Sequence, residues 1–191
     1  TKYIIMPTNL VGAATIIETL PVNDVYILDQ TNPELNSFPA VYQNHKKDIY
    51  EGLVKGKSRL NKYEKLIMIF PGFREPLGMK IGFENFCTNF KFDYEIITEF
   101  KNREINKGEV YVIPSDRDLV RVIEKANLQD LKLGSDFGII SYNDTPLKEL
   151  LGITVISTDF KFMGQQVANI ILNNEKGKVK VPFNFIDRNS L

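Results

Sequence analysis

Short runs of consecutive apolar, β-rich residues alternate along the chain with stretches whose apolar positions recur every three or four residues, the pattern of βα units around parallel sheets. Tyr3-Ile4-Ile5-Met6 is the first run, stopped by Pro7, after which Asn9 is placed to cap a helix carrying Val11, Ala14 and Ile17. Val25-Tyr26-Ile27-Leu28 forms the next strand, ending at Asp29, and Ala40-Val41-Tyr42 a short one. A helix is expected from Asn44 or His45 to about Lys55, and the Lys-, Gly- and Asn-rich stretch Lys55 to Lys65 reads as a hinge or linker. Leu66-Ile67-Met68-Ile69-Phe70 is the strongest strand signal, closed by Pro71-Gly72 and followed by a helix from about Pro76 to Asn89.

The alternation continues to the end of the chain. Tyr94 to Ile97 and Val110 to Ile113 read as strands, and Ser115 or Asp116 caps a helix with Leu119, Val122, Ile123 and Ala126 on one face. Phe137 to Tyr142 and Thr154 to Ile156 are strands separated by a short helix begun by Thr145 and Pro146. Asp159 caps a helix carrying Met163, Val167, Ile170 and Ile171, and the tail from Lys178 to Ile186 reads as β. The expected organisation is α/β in two Rossmann-like lobes with parallel sheets. Residues 1–56 form part of an N-terminal lobe, 57–158 form a C-terminal lobe, and 159–191 supply a crossover helix and terminal strands that complete both.

Composition narrows the function classes. The 191 residues carry 24 basic and 24 acidic side chains, a balance unlike that of a surface built to grip nucleic acid. One cysteine, Cys87, excludes an internal disulfide, and one histidine, His45, excludes a multi-histidine metal centre. No apolar run approaches the roughly 20 residues needed to span a bilayer. No Gly-rich phosphate loop, zinc spacing or Gly-x-Ser-x-Gly elbow is present, so neither a cofactor nor catalysis is expected. The chain opens on strand-like residues without a methionine or a leader, which reads as a fragment or processed form of a longer cytoplasmic protein.

An ordered set of segments carries a resemblance. Asp136-Phe137-Gly138-Ile139-Ile140-Ser141-Tyr142-Asn143-Asp144 is followed by Ile153 to Phe160, then Met163-Gly164, then Phe185-Ile186-Asp187-Arg188-Asn189-Ser190. Together they resemble the C-terminal portion of lactose/galactose-repressor effector domains, where a strand ending in paired aspartates precedes a Thr-rich strand, and the chain closes on an Arg-x-Ser/Thr strand end. The likeness extends less sharply to Lys80-Ile81-Gly82-Phe83, Val112 to Asp116, Val25 to Asp29 and Gln43-Asn44. The wording of Asn143 to Glu149 is similar to regulators that join this domain to a gluconate-repressor-type winged helix. The resemblance implies a type I periplasmic-binding-protein-like fold with an incomplete first lobe, a small effector bound between the lobes, a homodimer meeting near Pro146 to Leu151, and DNA contact through an N-terminal domain absent from this chain.

Candidate ligand residues follow from two sources. In open α/β sheets ligands gather beyond the carboxyl ends of strands, where Asp29, the segment 72–75, Phe100, Ser115-Asp116 and Asn143-Asp144 fall. By position in the resemblance, Asn143 stands at a ligand-binding aspartate, Ser115 at an asparagine, Asp29 at its own place and Phe100 near a stacking aromatic. The family's ligand-binding arginine is replaced by Met79, leaving Lys80 or Arg74 to take its part. Asn143, Asp29, Ser115, Asp116, Phe100, Arg74 and Lys80 therefore form the expected site, with hydroxyl-binding and apolar groups suited to a neutral monosaccharide. Each has a plainer reading: Asp116 and Asp159 as helix caps, Arg74 as a surface ion-pair partner, Phe100 as cover for the lobe. Cys87 reads as core and His45 as a capping-region residue. Rival functions are a solute-binding protein of a sugar transport system and, more remotely, a sugar or nucleoside enzyme on the same scaffold.

Overall fold

The computed structural model describes residues 1–7, 12–29, 33–72, 75–101 and 103–191, which fall into two compact units. Unit 1 comprises 1–44 and 158–182; unit 2 comprises 45–157 and 183–191. The chain thus passes between units three times, after Asn44, before Thr158 and after Pro182.

Unit 1 is built on a four-stranded sheet in the order β1-β2-β3-β9, with β1 Tyr3–Ile5, β2 Val25–Asp29, β3 Ala40–Tyr42 and β9 Lys178–Lys180, every pair parallel. Both faces of β2 are covered, which is why it reads as an unbroken apolar run. Val25 and Ile27 pack with Ala14 and Ile17 of α1 (Ala13–Glu18), while Tyr26 turns to Met163, Val167 and Ile170 of α6 (Phe160–Leu172). Asp159 caps α6 as expected, its carboxylate accepting from the Phe162 N–H at 2.8 Å. The expected cap at Asn9 lies outside the described residues.

Unit 2 carries a six-stranded sheet, β10-β8-β7-β6-β4-β5, whose strands are β4 Lys65–Ile69, β5 Asp93–Ile97, β6 Glu109–Ile113, β7 Gly138–Tyr142, β8 Thr154–Thr158 and β10 Phe183–Ile186. Leu66 and Met68 of β4 face a core with Phe83 and Phe86 of α3 (Leu77–Phe90), and Ile67 and Ile69 face the opposite core with Leu119 and Val122 of α4 (Asp116–Leu128). The tail read as one β segment is two strands in two sheets, because Pro182 between them has no N–H to continue a ladder.

The expected hinge at Lys55 to Lys65 is a correction. Helix α2 runs His45–Leu60, so residues 55–60 are helical, and β4 already begins at Lys65. The helix carries its lysines away from the core, while Ile49, Leu53 and Leu60 continue its apolar face into it. Small residues let α2 and α3 meet closely: a Cβ at Gly82 would stand 2.4 Å from the Lys46 carbonyl oxygen. The passage between units lies at Asn44, ahead of this helix, and not near residue 56.

Candidate functional site

The order of the unit 2 sheet places its topological switch between β4 and β6, since the chain leaves β4 for β5 on one side and returns to β6 on the other. Such a point opens a crevice at the carboxyl ends of the strands. A cleft of about 600 Å³ lies there, lined by Glu75, Thr98, Glu99, Ser115, Arg117 and Arg121 among others. Ser115 precedes α4 with an extended backbone, and its carbonyl accepts from the Leu119 N–H at 3.0 Å. Its hydroxyl makes no capping bond, so the side chain faces the cleft uncommitted to the helix. Burial pushes the Glu75 carboxyl above the usual carboxylate range.

Asn143 follows β7 in the left-handed region, φ 58°, with its N–H donating to the Ile156 carbonyl at 2.9 Å. That turn is held by Lys148 of α5 (Pro146–Leu150), only 2% exposed, whose ammonium donates to the carbonyls of Tyr142 at 2.7 Å and Asn143 at 3.0 Å. Asp116 supplies the counter-charge, 2.8 Å from Lys148 Nζ. Its place in the fold is therefore that of a partner to a buried cation at the end of β7. In unit 1, Asp29 ends β2 with φ 74°, and its carboxylate accepts from Gln43 Nε2.

The other expected residues are placed differently. Phe100 is 2% exposed and packs edge-on against Tyr111, ring centroids 5.8 Å apart, so its ring belongs to the core. It shares that core with Ile67, Ile69 and Ile113, and a core aromatic in a loop is indistinguishable in the sequence from a stacking one. Lys80 lies 3.8 Å from Glu84 one helical turn on, and Met79 is buried in the core. Arg74 lies outside the described residues. Cys87 is core as expected, its thiol pushed up to about 12 by burial. Glu75 falls in the expected strand-end segment 72–75, whereas Gln43, Lys148 and Thr158 were missed as site residues, because a polar residue beside a strand end carries no mark of what it faces.

The motif Arg188 to Leu191 acts as a latch on unit 2. Arg188 forks onto Asp144 at 2.8 and 2.7 Å and donates to the Ile153 carbonyl at 2.9 Å. Its guanidinium holds the Asp144 carboxyl below the usual range. Ser190, fully buried, donates to the Ile139 carbonyl and accepts from the Thr154 N–H, each at 2.7 Å. Of the segments that carry the resemblance, Asp136 to Asp144, the start of β8 and Phe185 to Ser190 are thus brought together by hydrogen bonds within unit 2, largely for reasons of folding, while Met163-Gly164 lies in unit 1. Among the described residues no cluster of His, Cys, Asp and Glu is arranged to hold a metal ion, and no helix is long and apolar enough to cross a membrane.

Two parallel-sheet α/β units joined by three chain passages, with polar side chains at strand carboxyl ends, define a type I periplasmic-binding-protein-like fold. Solved structures of transcription regulators of the lactose-repressor type share it. A probable maltose operon transcriptional repressor from Staphylococcus aureus matches with a TM-score of 0.75 and 17% identity over 99% of this chain and 75% of its own. A regulator of the LacI family from Enterococcus faecalis, solved with bound ribose, matches at 0.74 and 15% over 99% and 76%. Another from Lactobacillus casei, solved with bound glucose, matches at 0.75 and 12% over 100% and 78%. No protein-family model and no curated protein matches the sequence.

Proposed function

We propose that this chain is the effector-sensing part of a transcription regulator and that its effector is a small sugar. The reading rests above all on hydroxyl-binding side chains, Ser115 and Asn143 in unit 2 and Asp29 in unit 1, standing at strand carboxyl ends of a fold shared with sugar-bound regulators. Ser115 and Asn143 offer neutral donors and acceptors and Asp29 a strong acceptor, each a group suited to a sugar hydroxyl. Phe100 is left out of the set because its ring is core. Asp116 contributes through the Lys148 turn rather than by direct contact. Sugar binding shifts the equilibrium between two states of the domain by the ratio of its affinities for them, and a DNA-binding domain outside this chain reads the shift. Leu147, Leu150 and Leu151, exposed on and beside α5, support a homodimer formed there. The protein is expected to work in the cytoplasm, without cofactor or catalysis.

The test is thermal-shift screening against common monosaccharides and their phosphates, followed by calorimetry on the best ligand. Asn143→Ala is expected to weaken it about ten-fold or more, equivalent to roughly 1.4 kcal/mol. A screen in which no saccharide stabilises the protein rejects the sugar reading, and an unchanged affinity in Asn143→Ala rejects the placement of the site.

A further inference from the structure

Within unit 1 three polar side chains form a chain of hydrogen bonds ending on Asp29. Thr158 Oγ1 donates to Gln43 Oε1, and Gln43 Nε2 donates to Asp29 Oδ1. Gln43 and Thr158 are buried, 8% and 5% exposed, whereas Asp29 is half-buried at the end of β2. Among the described residues the second oxygen of Asp29 carries no hydrogen bond. The backbone is fixed too: the Gln43 N–H donates to the Asp29 carbonyl at 2.9 Å, closing the left-handed turn at φ 74° that aims the side chain.

We propose that Gln43 and Thr158 are positioning residues that lock one oxygen of the Asp29 carboxylate and present the other to a single ligand hydroxyl. The proposal rests on the sugar-sensing reading and deepens it. Its logic lies in the two ends of an amide, one an acceptor and the other a double donor. Because the Asp29 carboxylate only accepts, it draws Nε2 toward itself and leaves Oε1 to receive the Thr158 hydroxyl. Thr158 thereby anchors the far end of the Gln43 amide, and Gln43 occupies one carboxylate oxygen and leaves the other. Both stand beside passages of the chain between units, after Asn44 and at Thr158. A hydroxyl donor is matched by such a group; an anion at the same point is repelled.

The experiment measures the affinity of D-glucose and D-ribose by calorimetry for the wild type, Thr158→Val, Asp29→Ala and the double variant, with urea unfolding of each. Valine keeps the branched shape of threonine and removes only the hydroxyl. The expected result is about a three- to ten-fold loss in Thr158→Val and a larger loss in Asp29→Ala. The threonine substitution should then change affinity less than about two-fold in the Asp29→Ala background, since coupled residues are not additive. Thr158→Ser should restore binding, and a folding defect alone would instead give equal losses in both backgrounds. Gln43→Glu, which sets two carboxylates face to face, is a second variant expected to lose binding. Wild-type binding with an undiminished affinity in Thr158→Val, or equal losses in both backgrounds, overturns the relay alone. No binding of any saccharide to the wild type overturns the sugar reading, and this role with it.

Discussion

Replacing Ser190 by alanine removes one oxygen atom from the centre of the C-terminal latch. The wild-type hydroxyl donates to the Ile139 carbonyl and accepts from the Thr154 N–H at 2.7 Å in both cases, with the residue fully buried. Alanine leaves a donor on β8 and an acceptor on β7 without that partner, and water has no access to replace it. A stranded buried group costs about 1–3 kcal/mol, so two at the favourable end of that range give a loss of roughly 2–4 kcal/mol. For a chain of this length each kcal/mol moves Tm by about 2–4 °C, which predicts a fall of roughly 4–16 °C. Urea unfolding followed by far-UV circular dichroism measures the loss directly, provided the slope with denaturant stays constant. Ser135→Ala is the control, since the exposed Ser135 hydroxyl makes only one 3.3 Å bond, to the Lys132 carbonyl. A Ser190→Ala protein within about 0.5 kcal/mol of wild type, no worse than an ordinary surface change, would refute the latch.

Two further outcomes follow from the same unit. Gly82→Ala drives a Cβ to 2.4 Å from a backbone oxygen of α2, so the helices must separate; a loss of about 1–3 kcal/mol is expected in urea unfolding, and a neutral result would show that α2 and α3 do not pack this closely. Arg188→Leu removes the fork on Asp144 and should cost about 1.5–3 kcal/mol at pH 7. Because the Asp144 pKa is depressed in the folded protein, its stabilisation is complete above the unfolded value of about 3.9 and disappears as pH falls through the folded value. The gap between wild type and Arg188→Leu should therefore narrow on acidification below about pH 4, and a gap independent of pH would exclude Asp144 as the partner.

The alternation of apolar runs and helical periods determined the class of fold, because strands buried on both faces must be apolar throughout and a helix must show its core stripe every turn. Local chemistry also set the helix starts: Thr145 accepts from the Lys148 N–H at 3.3 Å and Asp159 from the Phe162 N–H, both short-range contacts that a few neighbouring residues specify. Strand-end positions placed Ser115 and Asn143 correctly at carboxyl ends for the same reason. The tertiary structure alone decided the rest. It extended α2 through the lysine-rich stretch, because Leu60 had a core to enter that lies far away in sequence. It took Phe100 into that unit's other core, gave Asp116 to Lys148, and joined Arg188 to Asp144 and Gln43 to Thr158 across separations of 44 and 115 residues. A side chain's type says what it can bond, but its partner is whatever the folded chain brings within about 3 Å.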